Sequence, residues 1–168
     1  MSGTHDDPTA PRALSTDEQL SELRSRRSQL KEGMTRLESA VARPVAGDAS
    51  AWADEVGEAL ARLREDFAVH ITVTEREGGF HDQLVHDAPR LEGKVRRLTR
   101  EHETLRHDID EAQEAWVQLV SEGTAGGDEG VDEVRRRVTD LLGRLSRHRQ
   151  RGSDLVWEAF AFDLGGET

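Results

Sequence analysis

Hydrophobic residues recur every three or four positions along four long stretches of the chain, roughly residues 15–43, 50–77, 89–120 and 131–162. This spacing is typical of amphipathic helices that bury one face. No alternating pattern of the kind expected for strands competes with it. Since helices of this length with short connections pack as antiparallel neighbours, the pattern predicts an all-α, up-down-up-down antiparallel four-helix bundle.

Residues typical of helix ends indicate where the helices begin and what connects them. Ser15 and Glu18 have capping-box spacing at the start of the first helix. Ser50 is the predicted cap of the second helix, and Pro89 suits the first turn of the third. We expect residues 80–87 to form a short connecting turn or helical fragment. The glycine-rich segment 121–130 is predicted to be a flexible loop.

The length of 168 residues suits one domain with a real core. Residues 1–14 contain few hydrophobic side chains and two prolines. Such a segment cannot bury enough surface to offset its ordering entropy. We therefore expect a disordered N-terminal tail over residues 1–14 and the helical bundle over residues 15–168.

Composition and charge exclude several classes of function. The chain has no cysteine, which removes disulfides, thiolate metal sites and cysteine nucleophiles. A net charge of −11 argues against a nucleic-acid-binding surface. No apolar run is long enough to span a membrane, and the N-terminus lacks the apolar core of a secretory signal. We therefore predict a cytoplasmic protein that binds neither nucleic acid nor membranes.

Three histidines occupy positions where the helical pattern calls for a buried apolar residue. His70, His102 and His148 lie on the second, third and fourth predicted helices. Counting residues along the antiparallel helices at a rise of about 1.5 Å each places the three at similar heights. Arg27 interrupts the first helix at a comparable height. The other four histidines are predicted to lie on the surface or in the tail: His5, His81, His86 and His107.

The polar atoms of this histidine layer need partners, because burying three imidazoles without partners costs several kcal/mol. Coordination of a metal ion is one solution, since neutral imidazole is the commonest metal ligand. A hydrogen-bonded polar layer that fixes the register of the bundle is the other. The spacing alone does not choose between them.

Two segments of the sequence resemble the hemerythrin-like (HHE cation-binding) family. They are HITVTEREGGFHDQLVHDAPRLEGKVRRLTREH, beginning at His70, and HRQRGSDLVWEAFAFDLGG, beginning at His148. The resemblance covers residues 17–166. It implies a four-helix bundle that holds non-haem iron, often two ions, and that binds or senses oxygen, nitric oxide or iron.

The resemblance also implies a ligand set, which this chain matches only in part. His70, His102 and His148 stand at the family's histidine positions. Arg27 occupies the place of the first helix's histidine, and a guanidinium cannot serve as a ligand. Bridging carboxylates come four or five residues after the histidines of helices two and four. Those places hold Thr74 and Glu75, then Gly152 and Ser153.

We therefore predict a metal-binding module in which His70, His102 and His148 hold one iron or zinc ion, with Glu75 as a fourth ligand. The expected small ligands are O2, NO or iron itself, and no protein partner is identified. We do not expect an enzyme, because no nucleophile-and-base pair is visible.

Two alternatives stay open. The first is a metal-free interaction bundle in which Arg27 reaches Glu75 or Glu101 inside a buried His/Arg layer. A more distant alternative is ligation of a haem by two of the histidines, for which Gly152 leaves space.

Overall fold

The structure is a computed structural model, and it describes residues 15–45, 49–123 and 127–161. Four long helices span α1 Thr16–Ala42, α2 Ala49–Glu75, α4 Glu92–Glu122 and α5 Gly127–Ala161. Between α2 and α4 lie the short helix α3, Phe80–Asp87, and a 3₁₀ turn, Pro89–Leu91. The predicted tail over residues 1–14 lies outside the described residues.

The long helices pack as neighbours in the order α1, α2, α4, α5, and α5 closes the ring on α1. Each contributes its apolar stripe to a common core, as the sequence pattern predicts. No strand occurs in the described part of the chain. The predicted all-α, antiparallel four-helix bundle is therefore confirmed. None of the described helices combines the length and apolar character needed to cross a membrane.

The predicted helix ends hold for α1 and need correction elsewhere. The Ser15 hydroxyl accepts from the Glu18 backbone N–H at 3.3 Å, and the Glu18 carboxylate accepts from the Ser15 N–H at 2.7 Å, which completes the capping box. Ser50 is not the cap of α2, because the helix already includes Ala49. Pro89 lies in the 3₁₀ turn that precedes α4 rather than in the α-helix itself.

The connections contain more helix than the sequence pattern predicts. Residues 80–87 form α3, so the helical-fragment form of that prediction is confirmed. The loop predicted over residues 121–130 is shorter, because α4 continues to Glu122 and α5 begins at Gly127. Asp128 and Glu129 stabilise this early start, since acidic side chains interact favourably with the positive end of a helix.

The core consists of two hydrophobic clusters with the histidine layer between them. The larger cluster includes Leu30, Phe67, Leu105 and Leu145. The smaller cluster joins α3 to the adjacent ends of the long helices, and it comprises Leu23, Phe80, Leu84, Ala88, Leu91, Val95, Leu98 and Leu155. On α1, α4 and α5 the residue between the two clusters is Arg27, His102 or His148. The bundle therefore encloses one polar layer near the end covered by α3.

Candidate metal centre

The three histidines of the apolar stripes converge inside the bundle. His70 on α2, His102 on α4 and His148 on α5 are all buried. One ring nitrogen from each residue lies within 4.8 Å of the others. Their ring centroids are 4.8 to 5.7 Å apart. The matching heights predicted by counting residues are therefore found in the structure. We refer to His70, His102 and His148 as the triad.

Two triad histidines are held at their outer nitrogens by carboxylates. Nδ1 of His102 contacts Oε1 of Glu75, and Nδ1 of His148 lies 3.0 Å from Oε2 of Glu101. An ionised carboxylate can only accept a hydrogen bond, so each Nδ1 carries the proton and donates. Each Nε2 then presents a lone pair to the interior. A carboxylate on the outer nitrogen of a histidine is the usual support of a metal ligand.

The inner nitrogens of His102 and His148 face each other. Two facing lone pairs repel each other, so this arrangement is energetically unfavourable unless a cation lies between them. His102 Nε2 and His148 Nε2 are 3.1 Å apart. With both Nδ1 atoms protonated toward carboxylates, neither Nε2 has a proton to donate to the other. A shared cation satisfies both lone pairs, and a proton or a metal ion can play that part.

Burial disfavours the proton. Desolvation, followed by the charges of His148 and Arg27, lowers the pKa of His70 to about 3. Desolvation and the neighbouring His70 lower the pKa of His102 to about 2. The imidazoles are therefore neutral at pH 7, which is the form that binds metals. Nδ1 of His70 is also buried without a hydrogen-bond partner among the described residues. The donor set thus fits a single metal ion.

Glu75 and Glu101 lie on the outer side of the triad and are only partly buried. Burial raises the pKa of Glu75. Burial also acts to raise the pKa of Glu101, but hydrogen bonds from His148 and Arg151 outweigh it and lower that pKa. Glu75 was predicted as a fourth ligand. In this structure it contacts the outer nitrogen of His102 and is not among the converging donors.

Arg27 takes a position different from the one that the metal-free alternative requires. Its Nη2 donates to the backbone oxygen of Arg149 at 2.9 Å and to the hydroxyl of Ser153. The expected reach to Glu75 or Glu101 is therefore wrong. The guanidinium lies beside Gly152, where an added Cβ would meet Nη2 at an ordinary contact distance of 3.9 Å.

Among the described residues, only the triad brings three potential metal ligands together. Arg27 and Gly152 supply none, for the reasons given above. The hydroxyl of Thr74 donates to the backbone oxygens of His70 and Ile71 at 3.0 Å each, so it is committed to its own helix. The described residues around the triad thus support one ion rather than a pair.

His81 is a site residue that the sequence pattern missed. It was predicted to lie on the surface, but it is only 8% exposed. Its ring stacks on His102 with centroids 6.0 Å apart, and Thr99 Oγ1 lies 3.3 Å from its Nδ1. Desolvation and His148 lower its pKa to about 4. The missed signal was its spacing from Leu84 and Ala88, which places it on the buried face of α3. His86 and His107 are exposed as predicted.

A small cavity of about 30 Å³ adjoins the triad. Its lining includes Arg27, His81, Arg149 and Gly152 in addition to the triad. A volume of about 10–15 Å³ holds one water-sized group, so the cavity accepts two or three heavy atoms. Because a porphyrin is far larger, the haem alternative is wrong for this structure.

The comparison with protein families agrees with the geometry. The model of the hemerythrin HHE cation binding domain matches residues 20–152, a span that includes all three triad histidines. No curated protein and no solved structure matches the chain. The match covers well over half of the 168 residues. The chain therefore belongs to the hemerythrin HHE cation-binding domain family.

Proposed function

We propose that the protein is a metal-binding module that holds one non-haem iron ion through His70, His102 and His148. The observation that carries the proposal is the pair of inner nitrogens, 3.1 Å apart, whose outer partners are carboxylates. That arrangement directs two lone pairs at one point and leaves no proton to separate them. A metal ion satisfies both, and His70 supplies the third donor from α2.

In this proposal Glu75 and Glu101 act on the ligands rather than on the metal. Each accepts a hydrogen bond from a ligand's Nδ1, which fixes the tautomer and makes Nε2 more basic. Their negative charges also partly balance the positive charge of the ion. The three imidazoles together are neutral, so the two carboxylates are the nearest source of that balance.

Iron bound by three imidazoles would supply a redox-active centre with open coordination positions. Such a centre suits the binding or sensing of a small molecule such as O2 or NO. Phe67 and the two hydrophobic clusters keep the site away from bulk water. Zinc would fit the same donors, although it would not bind O2. We propose a binding or sensing role rather than catalytic turnover.

Iron content after controlled loading tests the proposal. Protein would be loaded anaerobically with Fe²⁺, freed of loose iron by desalting, and analysed for metal per chain. We expect one iron per chain in the parent and almost none in His102→Leu, which removes an inner nitrogen. His107→Leu is the matched control, because His107 lies on the same helix but is exposed. It should retain one iron per chain.

Circular dichroism would establish that both variants remain helical. If parent and His102→Leu retain equal iron, or if the parent retains none, the triad is not the metal site. Loading with Zn²⁺ in parallel determines whether the donors select between the two metals.

A further inference from the structure

A groove runs along the surface between α1 and α5, and we infer that it binds a linear carboxylate of the fatty-acid type. The groove is lined by residues of these two helices and has a volume of about 560 Å³. Small-molecule sites usually measure about 300–1,000 Å³. None of its described lining residues belongs to the triad, so this site is independent of the proposed metal function.

The groove forms because α1 and α5 face each other with small side chains. Of the neighbouring long helices, these two pack least extensively. Gly143 and Ser146 line the middle of the groove on the α5 side. A Cβ added at Gly143 would meet only the Arg147 guanidinium, at 3.6 Å, so the space beside this glycine is open.

The floor of the groove is apolar and follows the helix axes. Met34 and Val41 of α1 are each only 7% exposed, and Leu142 of α5 packs against the larger hydrophobic cluster. The α1 side of the lining runs from Lys31 to Ala42, which is roughly 16 Å of helix. A long, apolar floor suits an extended alkyl chain, which loses contact with water when it lies there.

Basic side chains outnumber acidic ones around this floor. The described lining includes Lys31, Arg135 and Arg149 but one carboxylate, that of Glu38. Since the whole chain has a net charge of −11, the positive charge is a local feature of the groove. A cationic rim above an apolar floor is complementary to a ligand with an anionic head and an apolar tail.

Lys31 and Arg149 mark the end of the groove where we place the carboxylate. Nε of Arg149 is buried without a hydrogen-bond partner, and neither side chain has an ion pair among the described residues. At the other end, Arg135 already donates to the backbone oxygens of Val41 at 3.3 Å and Arg43 at 3.0 Å. A carboxylate would therefore gain most beside Arg149, through charge-assisted hydrogen bonds.

Glu38 favours the same orientation. It follows Lys31 by seven residues, which places it about 10 Å further along α1. A carboxylate in the middle of the groove would be repelled by Glu38, whereas an alkyl tail would not. The tail is therefore expected to run from Arg149 past Gly143 toward Val41.

Isothermal titration calorimetry with octanoate, decanoate and dodecanoate tests the inference, at concentrations too low for micelles. The full chain would be used without added metal. We expect one site per chain and a Kd that falls about fivefold with every two methylenes, since the open groove buries only part of the tail. Octanol, which has the same tail without the charge, should bind about tenfold more weakly than octanoate.

Arg149→Gln tests the position of the carboxylate. The bond from Arg27 to residue 149 goes to the backbone oxygen and survives the change. We expect the decanoate Kd to rise about tenfold, because a charge-assisted hydrogen bond is lost. Arg100→Gln makes the same charge change at an exposed position of α4, outside the groove, and should leave the Kd unchanged.

Gly143→Leu tests the position of the tail. The added side chain would occupy the middle of the groove, so we expect decanoate binding to be lost. Gly93→Leu is the matched control, because Gly93 is an exposed glycine of α4 with open space around it. It should keep the Kd of the parent. Circular dichroism would establish that both variants remain helical.

Loss of binding in Gly143→Leu together with weaker binding in Arg149→Gln would support the groove site. The site is overturned if the parent does not bind decanoate, or if both variants bind it as tightly as the parent does. Equal affinities for octanol and octanoate would overturn the assignment of a carboxylate ligand. Should Gly143→Leu not fold, Arg149→Gln and the series of chain lengths decide in the same terms.

Discussion

His102 and His148 are each constrained from two directions. Their outer nitrogens donate to Glu75 and Glu101, and their inner nitrogens face each other at 3.1 Å. Rotation of either ring would break the carboxylate contact and leave a buried polar atom without a partner, which is costly. The two side chains are therefore already oriented for coordination before any metal binds.

The sequence predicts the histidines of the site but not their partners. A histidine on an apolar stripe must be buried, so His70, His102 and His148 follow from counting. Glu101 is adjacent to His102 in sequence yet contacts His148 on the neighbouring helix. Such a cross-helix contact depends on helix rotation and on side-chain rotamers, which the spacing of residues does not determine.

Replacing Glu75 with glutamine tests its role at the outer nitrogen of His102. Glutamine can still accept the hydrogen bond but carries no charge. We expect Glu75→Gln to weaken Zn²⁺ binding about tenfold, the low end of the usual effect of losing such a partner. Affinity would be measured by competition with a chromophoric chelator.

Glu114→Gln removes the same charge from an exposed position of α4 and should leave the affinity unchanged. A loss much larger than about a hundredfold in Glu75→Gln would instead indicate that Glu75 binds the metal directly. An affinity equal to that of the parent would show that the contact with His102 contributes nothing.

Among the elements, α3 has the largest effect on the site for its length. Phe80 and Leu84 join it to the smaller hydrophobic cluster, and His81 stacks on His102. The sequence indicated only a connecting turn or fragment over residues 80–87, because eight residues show too few turns for a clear period. Its burial depends on where α2 and α4 place the two ends of the connection.

Helices α2 and α4 pack closely where Gly57 meets Trp116. The indole Nε1 donates to the backbone oxygen of Ala53 at 2.7 Å. A Cβ at residue 57 would lie 2.4 Å from the Trp116 ring. The absence of a side chain at this position therefore allows the ring to lie against the backbone of α2.

We expect Gly57→Ala to destabilise the bundle by about 1–3 kcal/mol, the usual cost of overpacking against a rigid group. Urea unfolding followed by circular dichroism would measure the free energy of unfolding. Gly143→Ala is the matched control, because a Cβ there meets only Arg147 at an ordinary 3.6 Å. It should stabilise α5 by about 1 kcal/mol. Equal effects of the two substitutions would show that the close packing of Gly57 against Trp116 does not stabilise the bundle.

At the scale of the whole molecule, the bundle isolates a polar layer between two hydrophobic clusters. The larger cluster comes from the apolar stripes of the long helices, whereas the smaller one also includes Phe80, Leu84 and Ala88 of the connection, so the helical period predicted the fold and most of the core. The period could not predict the cavity beside the triad. The cavity depends on the spacing between helices, which is set by side-chain packing rather than by the order of residues.

The same packing explains why the layer supports one ion. Arg27 and Gly152 come from the neighbouring helices α1 and α5, and the Arg27 guanidinium lies beside the position where Gly152 has no side chain. Each departure from the family's pattern is visible in the sequence, but their mutual contact is visible only in the structure. The guanidinium anchored to α5 leaves the three imidazoles as the converging donors of the described site.

X-ray absorption spectroscopy of the zinc-loaded chain shows whether the triad holds a single ion, since it reports the atoms bound to the metal. We expect three imidazole nitrogens at about 2.0–2.1 Å from the zinc, with the ring scattering typical of histidine, and no zinc–zinc scattering. A first shell without three imidazoles, or a second metal at short range, would contradict the claim that His70, His102 and His148 hold a single ion.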